Sequence, residues 1–226
     1  MMMELAEIMG ELEGLGRESH RKTYVRHGIT EPAFGVSYAD FKIIVKKIKK
    51  NHALAIQLWE TGIYDARILA TMIADPKQLS LEHIDTWVNQ LTSYATTDAF
   101  AGLVAGSPFI QAKMMEWIQT DNEWICCAGW NLLAHLALEH PDLPDEFFYP
   151  YLTTIQNHIH QGKNRVRYNM NNALIAIGRR NDTLKEKALA VAKMIGKVEV
   201  DHGPTWCKTP LAEEYILRER PERKKA

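Results

Sequence analysis

The chain has 226 residues, 46% hydrophobic and 24% charged, and its 27 Lys+Arg against 28 Asp+Glu leave a formal charge of -1. That balance suits one compact domain, or at most two small ones, with a buried core, and it excludes intrinsic disorder. No apolar stretch approaches ~18 residues without a charge, so a membrane-spanning helix is excluded as well.

The first 18 residues hold five acids and one Arg, the opposite of a secretory leader. Residues 1–20 are expected to form an N-terminal helix or arm of a cytoplasmic protein. Phe41, Ile44, Val45 and Ile48 then follow the i, i+3, i+4, i+7 pattern of an amphipathic helix, with Asp40 at its start. At about 100° per residue, Lys42, Lys46, Lys49 and Lys50 fall opposite that stripe. Further helical stripes are Leu54, Leu58, Trp59; Ile68, Leu69, Met72, Ile73; and Ile84, Trp87, Val88, Leu91. After these come Met114, Trp117, Ile118; Leu132, Leu133, Leu136; Ile155, Ile159; Met170, Leu174, Ile177; and Leu184, Ala188, Val191, Ile195. Residues 198–200 are the one short candidate for extended backbone. Trp124 and Trp130 sit in apolar stripes and read as core.

Pro32, Pro76, Pro108 and Pro141 are separated by 44, 32 and 33 residues. Proline breaks a helix interior, so these positions mark connections between groups of two or three short helices. Helix pairs recurring at that period predict an all-α fold, an α-solenoid of HEAT-like repeats over residues 1–226 as one domain. An irregular all-α globule is the alternative.

The near-neutral total conceals segregation. Residues 42–50 hold five lysines and no acid, and residues 161–180 hold Lys163, Arg165, Arg167, Arg179 and Arg180 with no acid. Residues 116–146 carry seven acids and no Lys or Arg, and residues 217–226 form a basic tail. A polyanion responds to the local field, so the two internal basic segments are candidate phosphate contacts. Solvated helix faces are the plainer explanation for each lysine taken alone.

Several segments resemble a known family. Arg26-His27-Gly28-Ile29 with Phe34-Gly35-Val36, and Leu58-Trp59-Glu60-Thr61-Gly62 with Asp65-Ala66-Arg67-Ile68-Leu69-Ala70, are similar to stretches of the AlkD-like DNA alkylation repair proteins. So are Asn171-Asn172-Ala173-Leu174-Ile175-Ala176-Ile177-Gly178, Val200-Asp201-His202-Gly203 and Cys207-Lys208-Thr209-Pro210. The resemblance implies a HEAT-like solenoid whose concave basic face holds duplex DNA. It also implies excision of N3- and N7-alkylated purines in active members. Cleaving that N-glycosidic bond builds positive charge on the sugar, which a nearby carboxylate stabilises, while aromatic faces attract a cationic base.

Carried over residue by residue, the family's catalytic Asp falls on Asp98 and its first Trp on Tyr94, one helical turn apart. The Arg of its W-x-x-R segment falls on Cys127, and its second Trp near Ala176. Cysteine supplies no delocalised cation for phosphate, and alanine no aromatic face. The resemblance therefore implies DNA binding through Lys42, Lys46, Lys49, Lys50, Lys163, Arg165 and Arg167, with at most weak excision resting on Asp98 and Tyr94. Read without it, Asp98 is a helix cap in Thr96-Thr97-Asp98 and Tyr94 a core aromatic.

Arg67 reads as structural, paired with Asp65 or Asp98. Asp201, His202 and Cys207 lack a fourth ligand at zinc spacing, so no metal or cofactor is expected. Cys126, Cys127 and Cys207 read as reduced thiols. The expected partner is DNA, whether duplex, alkylated or branched, bound by a monomer away from membranes. A non-catalytic DNA-binding module and a protein-interaction scaffold are the rival functions.

Overall fold

The computed structural model describes residues 4–218, so most of the basic tail at 217–226 lies outside it. Among the described residues the fold is all-helical and contains no strand. The helices are α1 (Leu5–Leu15), α2 (Glu18–Arg26), α3 (Tyr38–Ile48), α4 (His52–Glu60), α5 (Tyr64–Ile73), α6 (Leu81–Val88) and α7 (Tyr94–Ala105). They continue as α8 (Ile110–Trp117), α9 (Glu123–Glu139), α10 (Tyr149–His158), α11 (Asn164–Gly178), α12 (Asp182–Ile195) and α13 (Ala212–Leu217). Pro32, Pro108 and Pro141 stand in connections and Pro76 opens a short 3-10 turn, as the spacing predicts. Residues 198–200 are irregular and form no ladder, which corrects the extended reading of that segment.

Local sequence sets the helix starts. Ser37, Asn51, Ser80, Ser93 and Asn181 each accept a bond from a backbone N–H in the first turn that follows. Each such cap is worth about 1 kcal/mol. Asp40 adds to the first of these by accepting from the Ser37 hydroxyl at 2.6 Å.

The chain divides into two compact units, residues up to Leu132 with His202–Cys207, and Leu133–Asp201 with the residues from Lys208 on. In the first, α3 packs on α5 and α5 on α7, placing these three side by side. Behind them stands a column of rings. Trp59 of α4 stacks on Trp87 of α6 at 4.3 Å and 5°, Phe100 of α7 lies 5.7 Å from Trp59, and Trp117 of α8 lies 5.9 Å from Phe100. Each such pair adds about 0.5–1.5 kcal/mol beyond its area burial.

One carboxylate organises the entry to this unit. Asp65 is 0% exposed and accepts from the backbone N–H groups of Phe34, Gly35 and Val36 at 2.6, 3.3 and 2.8 Å. The Tyr24 hydroxyl is 3.4 Å away and also donates to the Val36 carbonyl. Gly35 sits at φ +88°, where a Cβ would stand 2.4 Å from the Arg17 carbonyl, so only glycine fits. Arg67 pairs with neither Asp65 nor Asp98, in contrast to the reading from sequence. Its guanidinium lies 5.2 Å from the Trp59 ring and donates to the Trp59 carbonyl and to Gln90. Three N–H groups compensate the buried Asp65 carboxylate in place of a cation.

In the second unit α11 packs on α12 and α13, and α10 on α12. Arg180 donates to the carbonyls of Ala137, His140, Pro141 and Leu143 at 2.5–3.0 Å and lies over the Phe148 ring. It thereby binds orphan carbonyls at and beyond the end of α9, so this cation of the 161–180 block serves the fold.

Candidate nucleic-acid interface

Asp98 lies in the second turn of α7 and is exposed. Ser93 caps the helix, so the capping alternative for Asp98 does not apply. Asn131 of α9 donates to the Asp98 carboxylate at 2.7 Å. Tyr94, one turn earlier, is half-buried, and its hydroxyl is 2.6 Å from His27 Nδ1. With the imidazole proton on Nε2 the phenol donates, and the segment around His27 is joined to the start of α7.

Phenols gather on this side of the unit. The Tyr24 and Tyr64 rings meet edge to face at 4.7 Å. Burial and then neighbouring phenols and Asp65 push the Tyr64 hydroxyl well above the usual phenol range, and burial with Asp65 does the same to Tyr24. Tyr38, at the start of α3, is raised by burial and then by the Asp98 charge. These three hydroxyls stay protonated at neutral pH. Tyr38 also walls a cleft of about 320 Å³ with Ile68, Thr71 and Met72 of α5 and Ala99 and Gly102 of α7.

Cys127, on which the resemblance places the family's Arg, is 1% exposed and contributes no group to the surface. Asn131, one turn along the same helix, donates to Asp98. Sequence reading missed Asn131, His27 and Tyr38. The signals available were the i+4 spacing of Asn131 from Cys127, the recognised segment around His27, and the i–4 spacing of Tyr38 from Lys42.

The lysine block divides by task. Lys42 and Lys46 project from α3 exposed, and Lys49 is an exposed C-cap residue at φ +62°. Lys47 pairs with Glu11 at 2.5 Å. The Lys50 ammonium donates to the Ala74 and Met72 carbonyls at 2.7 and 3.2 Å, at the C-terminal end of α5, where the helix dipole favours a cation.

In the second unit Lys163 is the exposed N-cap residue of α11. The Arg165 guanidinium lies 4.8 Å from the Tyr168 ring, and Arg167 donates to the Asn164 amide oxygen at 3.4 Å. Ala176 is buried in the core of this unit. Cations and an aromatic face thus share the first turns of α11, a combination suited to a phosphate backbone and its bases. Among the described residues, no three His, Cys, Asp or Glu side chains gather as metal ligands, and no helix is long and apolar enough to cross a membrane.

Comparison with known proteins extends this geometry. A family profile described as DNA alkylation repair enzyme matches residues 8–206. Proteins of Listeria innocua and Listeria monocytogenes, both described only as uncharacterized, are each 29% identical over 97% of this chain and 98% of their own. A solved structure described as from "a new family of proteins related to the HEAT-like repeat DNA glycosylases with affinity for branched DNA structures" is 34% identical. It superposes with a TM-score of 0.86 over 95% of this chain and 92% of its own. The all-α, HEAT-like repeat architecture expected from the proline spacing is thereby shown.

Proposed function

The chain belongs to the DNA alkylation repair enzyme family, and from that premise we propose that it is a DNA-binding protein whose preferred ligand is branched DNA. The observation that carries this reading is the likeness, over nearly the full chain, to a structure whose description states affinity for branched DNA. The exposed Lys42 and Lys46 of α3 support it, because a ligand neutralised by lysines releases counterions from its phosphates. Lys163, Arg165 and Arg167 at the start of α11 supply the second set of phosphate contacts.

Efficient excision of an alkylated base is not part of this function. Its chemistry asks for a carboxylate beside the sugar and a cation on the phosphate. Asp98 is exposed and accepts from the neutral amide of Asn131, and Cys127, on which the family's Arg falls, is buried and carries no cation. The phenols of Tyr38 and Tyr94 near that carboxylate favour a second, lesser reading, residual hydrolysis of labile methylated purines.

Two assays test these readings. Affinity for a four-way junction and for the matching duplex is measured across a salt series. The junction is expected to bind more tightly, with a steep negative slope of log K against log salt. Equal affinity for both forms, or a flat slope, overturns the proposal. Release of 3-methyladenine by wild type above the level of Asp98→Asn would establish the second reading, and equal background release would remove it.

A further inference from the structure

We propose that Trp206 is a wedge that stacks on the base step left open at a DNA branch point. This rests on the branched-DNA reading above. Of six tryptophans, Trp59, Trp87, Trp117 and Trp130 are at most 2% exposed and Trp124 is half-buried, whereas Trp206 is 99% exposed. A lone exposed apolar side chain is unremarkable in itself. This one is the largest side chain available, and it stands on a loop built to hold it out.

The loop is stiff. Thr205 N–H donates to the Gly203 carbonyl at 2.7 Å, and the Thr205 hydroxyl donates to the His202 carbonyl at 3.0 Å and accepts from Cys207 N–H at 3.2 Å. Pro204 fixes one more backbone angle. Gly203, at φ +65°, lies against the end of α2, where a Cβ would stand 3.5 Å from the Arg26 carbonyl. An ordered turn presenting an aromatic ring loses little conformational freedom when that ring is captured.

The surroundings match a polyanion. The α2 segment carries exposed Arg21, Lys22 and Arg26 against one acid, Glu18, which pairs with Arg21 and Lys22. The next residue beyond α2, His27, touches Tyr94 on α7, so the wedge belongs to the same compact unit as the α7 face. Aromatic rings stack on any base, because every base offers a π-face. Entering a continuous duplex requires unstacking a step first, whereas a branch point already has an interrupted stack. The wedge therefore discriminates branched from linear DNA without reading sequence.

The test uses the full chain, a four-way junction and the matching duplex. The difference in emission between wild type and Trp206→Ala isolates the exposed ring. Acrylamide is expected to quench that emission in the free protein and to lose access to it in the junction complex. Trp206→Ala is expected to weaken junction binding about tenfold while changing duplex binding less than twofold, and Trp206→Tyr to restore most of the loss. Continued quenching in the junction complex, unchanged junction affinity of Trp206→Ala, or equal losses on junction and duplex overturns the wedge. Wild type binding the junction while Trp206→Ala binds equally well removes the wedge alone. Wild type binding neither DNA removes the functional reading and the wedge with it.

Discussion

Asp65 on α5 and Asp98 on α7 are carboxylates on neighbouring helices with opposite fates. Asp65 is sealed from solvent and its oxygens are occupied by three backbone N–H groups and a nearby phenol. Asp98 is exposed and accepts from the Asn131 amide. The same contrast separates Lys50 from Lys42. A charge whose bonding capacity is filled by carbonyls or amides holds the fold, and one left at the surface can meet a ligand. Residue type alone does not distinguish the two.

The contrast breaks most visibly at the filled sites. Asp65→Ala leaves buried N–H groups without an acceptor and is expected to cost about 3–5 kcal/mol in urea unfolding. Arg180→Met strips four carbonyls of their donor and is expected to cost about 2–4 kcal/mol. Next comes alkaline pH. The folded-state phenol values of Tyr24 and Tyr64 are raised, so the stability they contribute is fully present below the unfolded phenol value of about 10. It is lost as pH rises from there through the folded values, because the unfolded chain gives up those protons first. Unfolding midpoints against pH should therefore fall steeply above about pH 10, and a flat profile would show the phenols to be solvated.

At the open sites the effects move from stability to binding. Lys42→Ala and Lys46→Ala are each expected to lower the salt slope of DNA binding by about 1 while leaving stability within about 0.5 kcal/mol. Lys50→Ala is expected to do the reverse, costing about 1 kcal/mol of stability with the slope unchanged. The smallest effect belongs to Asp98→Asn. It should leave stability within about 0.5 kcal/mol and lower the Tyr38 phenol value without returning it to normal, because burial still raises it. Ultraviolet titration of the phenols reads that shift.

Much of this was legible in the residues. The Phe41 and Ile44 stripe, the prolines between helices and the position of Asp98 on a helical face all follow from spacing or from resemblance, because they depend on neighbours within a few positions. What escaped depends on distant chain. Lys50 reaches carbonyls more than 20 residues away, and the Asn131–Asp98 bond spans 33. Arg67 was expected to seek an acid and instead found the Trp59 ring, since nothing near it in sequence reveals that Asp65 is compensated by backbone N–H groups. Sequence patterning identifies which charges exist, and tertiary contacts decide which of them remain to be used.

The ring column from Trp59 through Trp87 and Phe100 to Trp117 carries one more consequence. Stacked helical hairpins that touch only along aliphatic seams can fray from one end, hairpin by hairpin. Rings interlocked across α4, α6, α7 and α8 couple those hairpins into a single melting step, so heat should dissolve this part of the molecule all at once rather than peel it.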